Sequence, residues 1–567
     1  MNEIIPKKSR RDQSATDELV FLPLGGSGEI GMNLNLYGYG PEAARLWIMV
    51  DLGVTFGDDR TPGVDLIMPD PGFIAERRSD LLAIVLTHAH EDHIGAVAHL
   101  WPRFRCPVYA TPFTATLVRA KLIEAGIEDE VPMHIVPLGA RFDIGPFNIE
   151  LVTLTHSIPE PNALAIRTPL GLVMHTGDWK IDPDPLVGDD MDLKRLTEIG
   201  DEGVLAIVCD STNVFSPGTS GSEADVARSL IELIQPMTGR VAVTTFASNV
   251  ARLESIARAA QACDRHVVLA GRAMFRITSA ARDAGYLQGL APFLTEHDAG
   301  YLPPDKVLYC CTGSQGEPRA ALARIAMDNH PNIVLEEGDT VIFSSRIIPG
   351  NETSIFELQN TLAERGIRVV TEKDHFVHVS GHPCRDELAR MYQMIRPRIA
   401  VPVHGEARHL AEHAALAREL QVPEQIVIRN GLMLRLAPGL AEIIDEAPSG
   451  RLYLDGEVLT SSDEGAVSER RKLAFSGSVF VSLVLDGEGR VRGDPQVRLI
   501  GLPEADSDGA LFEDIALDAI DGALDKLPPK RRGDDDTVAE LMRRAVRGAL
   551  RREWGKKPAV EVVVTRI

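Results

Sequence analysis

A chain of 567 residues is longer than one hydrophobic core supports, so about three domains are expected. Hydrophobic residues at 44% and charged residues at 25% are the proportions of a folded soluble protein and exclude global disorder. The formal net charge of −23 excludes a protein that coats nucleic acid or an anionic membrane by bulk attraction, so any polyanion has to be met in a local channel with cations at the phosphate.

The first eighteen residues, MNEIIPKKSRRDQSATDE, read as a flexible tail: the twin arginine at Arg10 and Arg11 is followed by no apolar stretch, which a secretory signal requires. From Leu19 to Asp210 short apolar runs bounded by Gly, Pro and Asp (LVFLPL, MNLNLYGY, LWIMVDLG, LLAIVLT, FNIELVTLT, GLVMHTGD) read as strands. IGAVAHLWPRF and FTATLVRAKLIEAG between them read as helices, giving a layered α/β domain over 19–214. After CDSTN the rhythm becomes helix, strand, helix (EADVARSLIELIQP, RVAVTTFA, VARLESIARAAQAC, HVVLAG, AALARIAMD, DTVIFSS, ETSIFELQNTLAERG), which implies crossover units on a parallel sheet over 215–372. RIAVPVHGE resumes the first domain, so 373–440 is its second part and the parallel-sheet domain is an insertion. Residues 441–465 turn polar, lose periodicity and are expected to be a linker. A small α+β domain follows over 466–567: SVFVSLVLDG, QVRLIGL, an acidic helix, a basic helix and the last strand AVEVVVTRI.

Six cysteines without a CxxC pair suit neither a zinc ribbon nor a disulfide framework, and no apolar run is long enough to span a membrane. A reducing, cytoplasmic location is expected.

Chemistry concentrates in LLAIVLTHAHEDHIGAV, where His88, His90, Asp92 and His93 follow a strand and precede a helix. Imidazoles and carboxylates suit zinc and its neighbours, and four of them within six positions at a strand end converge on a small volume. His156, Asp178 and His404 each close an apolar run, where a rigid strand hands over to a loop. Gly26, Gly28 and Gly31 spell a dinucleotide fingerprint, but MNLNLYGYG after them reads as a strand rather than the helix that motif needs, so a tight loop between strands is expected.

With Asp51 in MVDLG, this series resembles the metallo-β-lactamase superfamily, whose αββα sandwich the first domain is expected to adopt. The resemblance implies two divalent ions, zinc in the first place and manganese as the alternative: His88, His90 and His156 on one, Asp92, His93 and His404 on the other, Asp178 bridging, and Asp51 orienting ligands from behind. Asp178 and His404 stand 226 positions apart, an insertion that resembles the β-CASP domain of nucleases. Asp210 in CDSTN, His382 in HVSGHP and His404 in PVHGE match its three motifs, and the histidine in the last is similar to the branch that processes RNA. GGSGEIGMN, TGSQGEP and IPGNE look like the ribonuclease J family.

That family implies a ribonuclease with 5′→3′ exonuclease and endonuclease action in mRNA decay and rRNA maturation, on single-stranded and preferably 5′-monophosphorylated RNA. It implies His382, steadied by Asp210, as proton donor to the leaving oxygen, with Asp92 and Asp178 holding the attacking water. Ser380, Gly381 and His382, with Ser344, Ser345 and Arg346, are the candidate phosphate and RNA contacts. It also implies a homodimer or homotetramer through the C-terminal domain. The arginine stripe Arg543, Arg547 and Arg551 could touch RNA or a subunit, although a solvated helix face is the commoner explanation. Two other readings are a small-molecule hydrolase, which leaves the long insertion and His382 without a purpose, and a non-catalytic RNA-binding scaffold, which would not keep seven ligands.

Overall fold

A computed structural model describes residues 16–462, 465–528 and 531–567, so the twin arginine and nearly all of the expected tail lie outside the described residues. The first strand already begins at Glu18.

Two large sheets make the first domain. One runs, edge to edge, Glu442–Glu446, Leu432–Ala437, Glu18–Gly25, Leu34–Gly40, Leu46–Val50, Leu81–Val85, Val108–Ala110 and Met133–Ile135. The other runs Arg141–Ile144, Phe147–Thr153, Asn162–Thr168, Gly171–His175, Ala206–Asp210, Ile399–Val403 and Glu424–Gln425. Alternating residues from both, among them Phe21, Ile48, Val85, Ile149, Ile166, Val208 and Val401, fill a common core as a period of two demands. The opposite parity of the second sheet (Ala165, Met174, Ile207) packs on the helices Leu193–Glu202 and Arg385–Ile395 through Leu196, Leu388 and Ile395. The expected αββα sandwich is therefore the observed one.

The insertion interrupts this sheet without disturbing it, because Ala206–Asp210 and Ile399–Val403, the strands on either side of it in the chain, pair directly and in parallel. The inserted sheet is fully parallel, in the order His266–Ala270, Val307–Cys311, Val241–Thr244, Thr340–Phe343 and Arg368–Val370. The strand Val307–Cys311 and the helix Arg272–Asp283 were not expected from the sequence.

The chain forms two compact units: the described residues up to Thr55 with Met68–Gly450, and Phe56–Ile67 with Arg451–Ile567. The expected linker, 441–465, instead carries the strands Glu442–Glu446, Arg451–Asp455 and Val458–Ser461. In the second unit Ser478–Leu485 pairs with Gln496–Ile500 and Ala559–Arg566, and Phe512–Lys526 and Asp535–Trp554 cover one face through Phe512, Ile520, Met542 and Leu550. Two arginines of the stripe serve this packing, Arg543 donating to the Val560 carbonyl at 3.1 Å and Arg547 to that of Pro558 at 3.2 Å.

The glycine-rich segment is a loop between strands, as expected, with Gly26, Gly28 and Gly31 all in the left-handed region at φ +84, +91 and +88. It packs its backbone on the motif loops: the His404 N–H donates to the Gly26 carbonyl at 2.6 Å, and the Asn33 N–H to the Asp92 carbonyl at 2.9 Å. Gly53 lies closer still, since a Cβ there would sit 1.7 Å from the Asp92 oxygen. Gly53→Ala must push this backbone away, and we expect a loss of about 1–3 kcal/mol or more in thermal unfolding, with weaker metal binding than in the parent chain.

Candidate metal centre

Every candidate ligand, and Asp51 behind them, lies just beyond the C-terminal end of a strand. Asp51 follows Leu46–Val50, His88 to His93 follow Leu81–Val85, His156 follows Phe147–Thr153, Asp178 follows Gly171–His175, and His404 follows Ile399–Val403. Asp51 and His404 hold left-handed backbones, φ 63 and 52, a conformation that costs energy in residues with a Cβ and is concentrated at functional sites.

These side chains gather into two groups that share Asp178: His88, His90, His156 and Asp178, and Asp92, His93, Asp178 and His404. In the first group His90 Nδ1 lies 3.1 Å from His88 Nε2 and 3.0 Å from His156 Nε2. The outward nitrogens decide what these inward ones carry. His156 Nδ1 donates to the Gly381 carbonyl at 2.5 Å, and His90 Nε2 lies 3.4 Å from the Ser157 hydroxyl. The Thr87 hydroxyl donates to Asp51 at 2.9 Å and so accepts from His88 Nδ1 at 3.0 Å. His88 Nε2 and His156 Nε2 thus turn lone pairs towards His90 Nδ1, and the three nitrogens converge on one point that a cation would fill. Burial, with neighbouring imidazoles, keeps all three rings neutral: His88 and His156 are held well below the usual histidine range and His90 falls to about 4.

In the second group His93 Nδ1 donates to Asp51 at 2.7 Å while its Nε2 lies 3.2 Å from Asp178. His404 Nδ1 donates to Asp178 at 2.6 Å, and its Nε2, 3.3 Å from Asp92, is buried without a hydrogen-bond partner. An orphaned imidazole nitrogen facing a carboxylate is a ligand position for a cation, so the donor set fits a divalent metal here as well. Burial opposes charge on His93 and His404, but Asp178 and its neighbours outweigh it and raise both above the usual range. Burial would raise Asp178 in turn, yet His404, His93 and His382 hold it well below the usual carboxylate range.

Opposite these groups His382 Nδ1 donates to Asp210 at 2.8 Å and lies 3.9 Å from Asp178. Burial works against a charge on this ring, but the carboxylates of Asp210 and Asp178 prevail and its pKa is pushed up to about 9. The other Asp210 oxygen accepts the Thr212 N–H at 2.8 Å, which fixes the carboxylate.

The candidate phosphate contacts divide. Ser380 keeps a free proton, its oxygen accepting from Asn213 Nδ2 at 2.6 Å and from the His382 N–H at 3.1 Å. Ser344 has none left: its hydroxyl donates to the Val377 carbonyl at 2.6 Å and accepts from the buried Arg252 at 2.9 Å, so it braces the inserted domain instead. Arg346 is exposed and among the described residues its guanidinium reaches only Asn213 Oδ1, at 3.4 Å, and Ser345 is buried beside it. His175, three residues before Asp178, is buried with its Nδ1 2.9 Å from the Tyr37 hydroxyl.

Several contributors escaped the sequence. Asn33 donates to the Asp92 carbonyl at 3.0 Å and lies 3.1 Å from His93 Nε2, Thr87 links Asp51 to His88, and Asn213 ties the CDSTN loop to the HVSGHP loop through Ser380 and the His382 carbonyl. Asn33 and Asn213 do stand inside motifs quoted above, GGSGEIGMN and CDSTN, which is the signal that could have found them.

Comparison with known proteins agrees along nearly the whole chain. Residues 56–192 match the beta-lactamase superfamily domain, 238–362 the ribonuclease J beta-CASP domain, 366–428 the Zn-dependent metallo-hydrolase RNA specificity domain, and 465–567 the ribonuclease J C-terminal domain. A ribonuclease J of Sinorhizobium meliloti is 53% identical over 99% of each chain. One of Thermus thermophilus is 34% identical over 97% of this chain and 95% of its own, and one of Corynebacterium glutamicum is 38% identical over 95% of this chain and 74% of its own. A crystal structure of a protein of unknown function from Enterococcus faecalis has a similar fold, with a TM-score of 0.50 at 17% identity over 74% of this chain and all of its own.

Asp51 takes three hydrogen bonds, from the Thr87 N–H at 2.8 Å, the Thr87 hydroxyl and His93. Asp51→Asn puts an amide donor where two of those donors point. We expect a folded protein by circular dichroism whose zinc affinity in a competition titration falls about 10–100-fold.

Proposed function

Since the chain belongs to the ribonuclease J family, we propose that it hydrolyses RNA phosphodiesters with two divalent ions per subunit, acting both as a 5′→3′ exonuclease and as an endonuclease. The observation that carries this reading is the convergence of three imidazole nitrogens beside Asp178, with His382, paired to Asp210, 3.9 Å from the same carboxylate. In it His88, His90, His156 and Asp178 hold one ion, and Asp92, His93, His404 and Asp178 the other, zinc being first choice and manganese the alternative. Such ions supply a water of lowered pKa and positive charge against the phosphoryl oxygens.

The chain's own groups do the rest. Asp92 and Asp178 orient the attacking water by accepting its hydrogen bonds. His382 has Nδ1 engaged with Asp210 and delivers the proton on Nε2 to the leaving 3′ oxygen, leaving 5′-phosphate and 3′-hydroxyl ends. Asp210 keeps that ring oriented and its proton in place at neutral pH. Ser380, the Gly381 N–H and Arg346, with Ser345, receive a 5′-monophosphate. No described helix is long and apolar enough to cross a membrane; the proposed substrates are mRNA and rRNA in the cytoplasm. A homodimer or homotetramer through the C-terminal domain completes the proposal.

An RNA labelled at its 5′ end, supplied as monophosphate or triphosphate, tests it. Fast release of labelled mononucleotide from the monophosphate alone, abolished by His90→Ala, is expected; no cleavage of either RNA by the zinc- or manganese-loaded protein would refute it. His382→Ala is expected to slow the chemical step about 10²–10⁴-fold with both ions still bound on elemental analysis, and loss of an ion would make it a ligand instead.

A further inference from the structure

The loop Thr155 to Asn162 carries His156, and it also carries a carboxylate that the reaction does not use. Glu160 is 5% exposed and holds a left-handed backbone at φ 58, which a non-glycine residue adopts only when its surroundings hold it there. Its own carbonyl accepts from Asn162 Nδ2 at 2.7 Å, closing the turn. Its carboxylate oxygens go to different places. Oε2 accepts the Phe113 N–H at 2.8 Å, at the start of the helix Pro112–Glu124 in the metallo-β-lactamase part. Oε1 accepts the Tyr286 hydroxyl at 3.0 Å, just beyond the helix Arg272–Asp283 of the inserted domain. A helix cap alone would occupy one oxygen; the second crosses between the two parts.

The rest of the loop is shared in the same way. The Ser157 carbonyl accepts the Ala251 N–H of the inserted domain at 3.2 Å, and its hydroxyl lies 3.4 Å from His90 Nε2. The Asn162 N–H donates to the carbonyl of Thr87 at 3.1 Å, and Thr87 holds His88 through its hydroxyl. Eight consecutive residues thus carry His156, reach His90 through Ser157 and His88 through Thr87, and bond two segments of the inserted domain.

We propose that Glu160 is a positioning residue whose carboxylate ties Tyr286 of the inserted domain to the turn that aims His156, so that seating of that domain and the geometry of the His88, His90 and His156 group are set together. The inference rests on His156 being a metal ligand. It makes Tyr286, which among the described residues is hydrogen-bonded to the loop only through this bond and packs edge-on to Phe113 at 6.1 Å, a determinant of metal affinity.

The test uses the full chain and Tyr286→Phe, which keeps the ring and removes only the hydroxyl, together with Glu160→Gln, Glu160→Ala and the double variant Glu160→Gln/Tyr286→Phe. Zinc affinity is read by competition titration, and amide hydrogen exchange of 154–162 and of Phe113 is read on metal-free protein. We expect Tyr286→Phe to weaken zinc binding severalfold and to speed exchange of the loop about tenfold, the scale of one lost hydrogen bond to a charged group. Glu160→Gln, which keeps one acceptor, should fall between Tyr286→Phe and Glu160→Ala, and the double variant should be little worse than Glu160→Gln. Unchanged zinc affinity and loop exchange in Tyr286→Phe, with or without a lower melting temperature, overturns the proposal and leaves Glu160 a helix cap. Additive effects in the double variant do the same. Hydrolysis of RNA and of bis(p-nitrophenyl) phosphate by the parent chain is measured alongside. Should the parent cleave neither while Tyr286→Phe still shifts zinc affinity, the functional reading falls and the positioning role stands; an active parent with no shift gives the reverse.

Discussion

One buried carboxylate sets the terms for the rest of the site. Asp178 is 3% exposed, and a carboxylate that deep is tolerable only if positive charge and hydrogen bonds surround it. His404 at 2.6 Å, His93 at 3.2 Å and His382 at 3.9 Å supply them, while the neutral His88 and His156 approach to 3.8 and 3.9 Å. With ions bound, charge comes from them; otherwise His93, His404 and His382 must carry protons, which is why those three are raised while His88, His90 and His156 stay neutral. The division into charged and neutral rings follows from where Asp178, Asp92, Asp51 and Asp210 lie.

Rings so close together need their orientation fixed from behind, and each outward nitrogen finds a partner on a rigid element. Thr87 and Asp51 are a few residues beyond the ends of core strands, and Gly381 and Asp210 hold the rings nearest the inserted domain. The sandwich makes this economical, because the C-terminal edge of two packed sheets delivers ligands from four strands, and Asp51 from a fifth, without any loop having to be long. The inserted domain enters between two strands that pair with each other, so the sheet does not register its length, and closure entropy rises only slowly with the number of residues added.

What the sequence disclosed depends on how each residue acts. His88, His90, Asp92 and His93 could be read because ligands packed at one strand end are a pattern in the chain itself. Asp210 and His382 are 172 positions apart, and only a family resemblance pairs them. Gly53 and Glu160 act through backbone approach and a hydrogen bond across the fold, which leave no periodicity or spacing. Ser344 was misjudged because a serine after a strand looks the same whether its hydroxyl faces a ligand or, as here, Arg252 and Val377. The stretch from Glu442 lost its apolar alternation because it is an edge strand exposed on nearly every residue, and exposure removes the pattern by which strands are recognised.

The acidity of the chain sharpens the role of the metal. Near the HVSGHP loop the buried cations are already matched, Arg252 by Glu223 at 2.9 Å and Lys180 by Asp182 at 2.9 Å, so neither offers net charge to a phosphate. Arg346 alone among these is exposed and held only by an amide oxygen. A polyanion approaching a surface with a net charge of −23 is repelled at long range, and the attraction that overcomes this has to arise within a few ångströms of the reacting phosphate. Ions held at Asp178 would provide it at the scissile phosphate. In the proposed ribonuclease the same cations therefore hold the substrate and activate the water, and a chain this acidic keeps non-productive RNA off the rest of its surface.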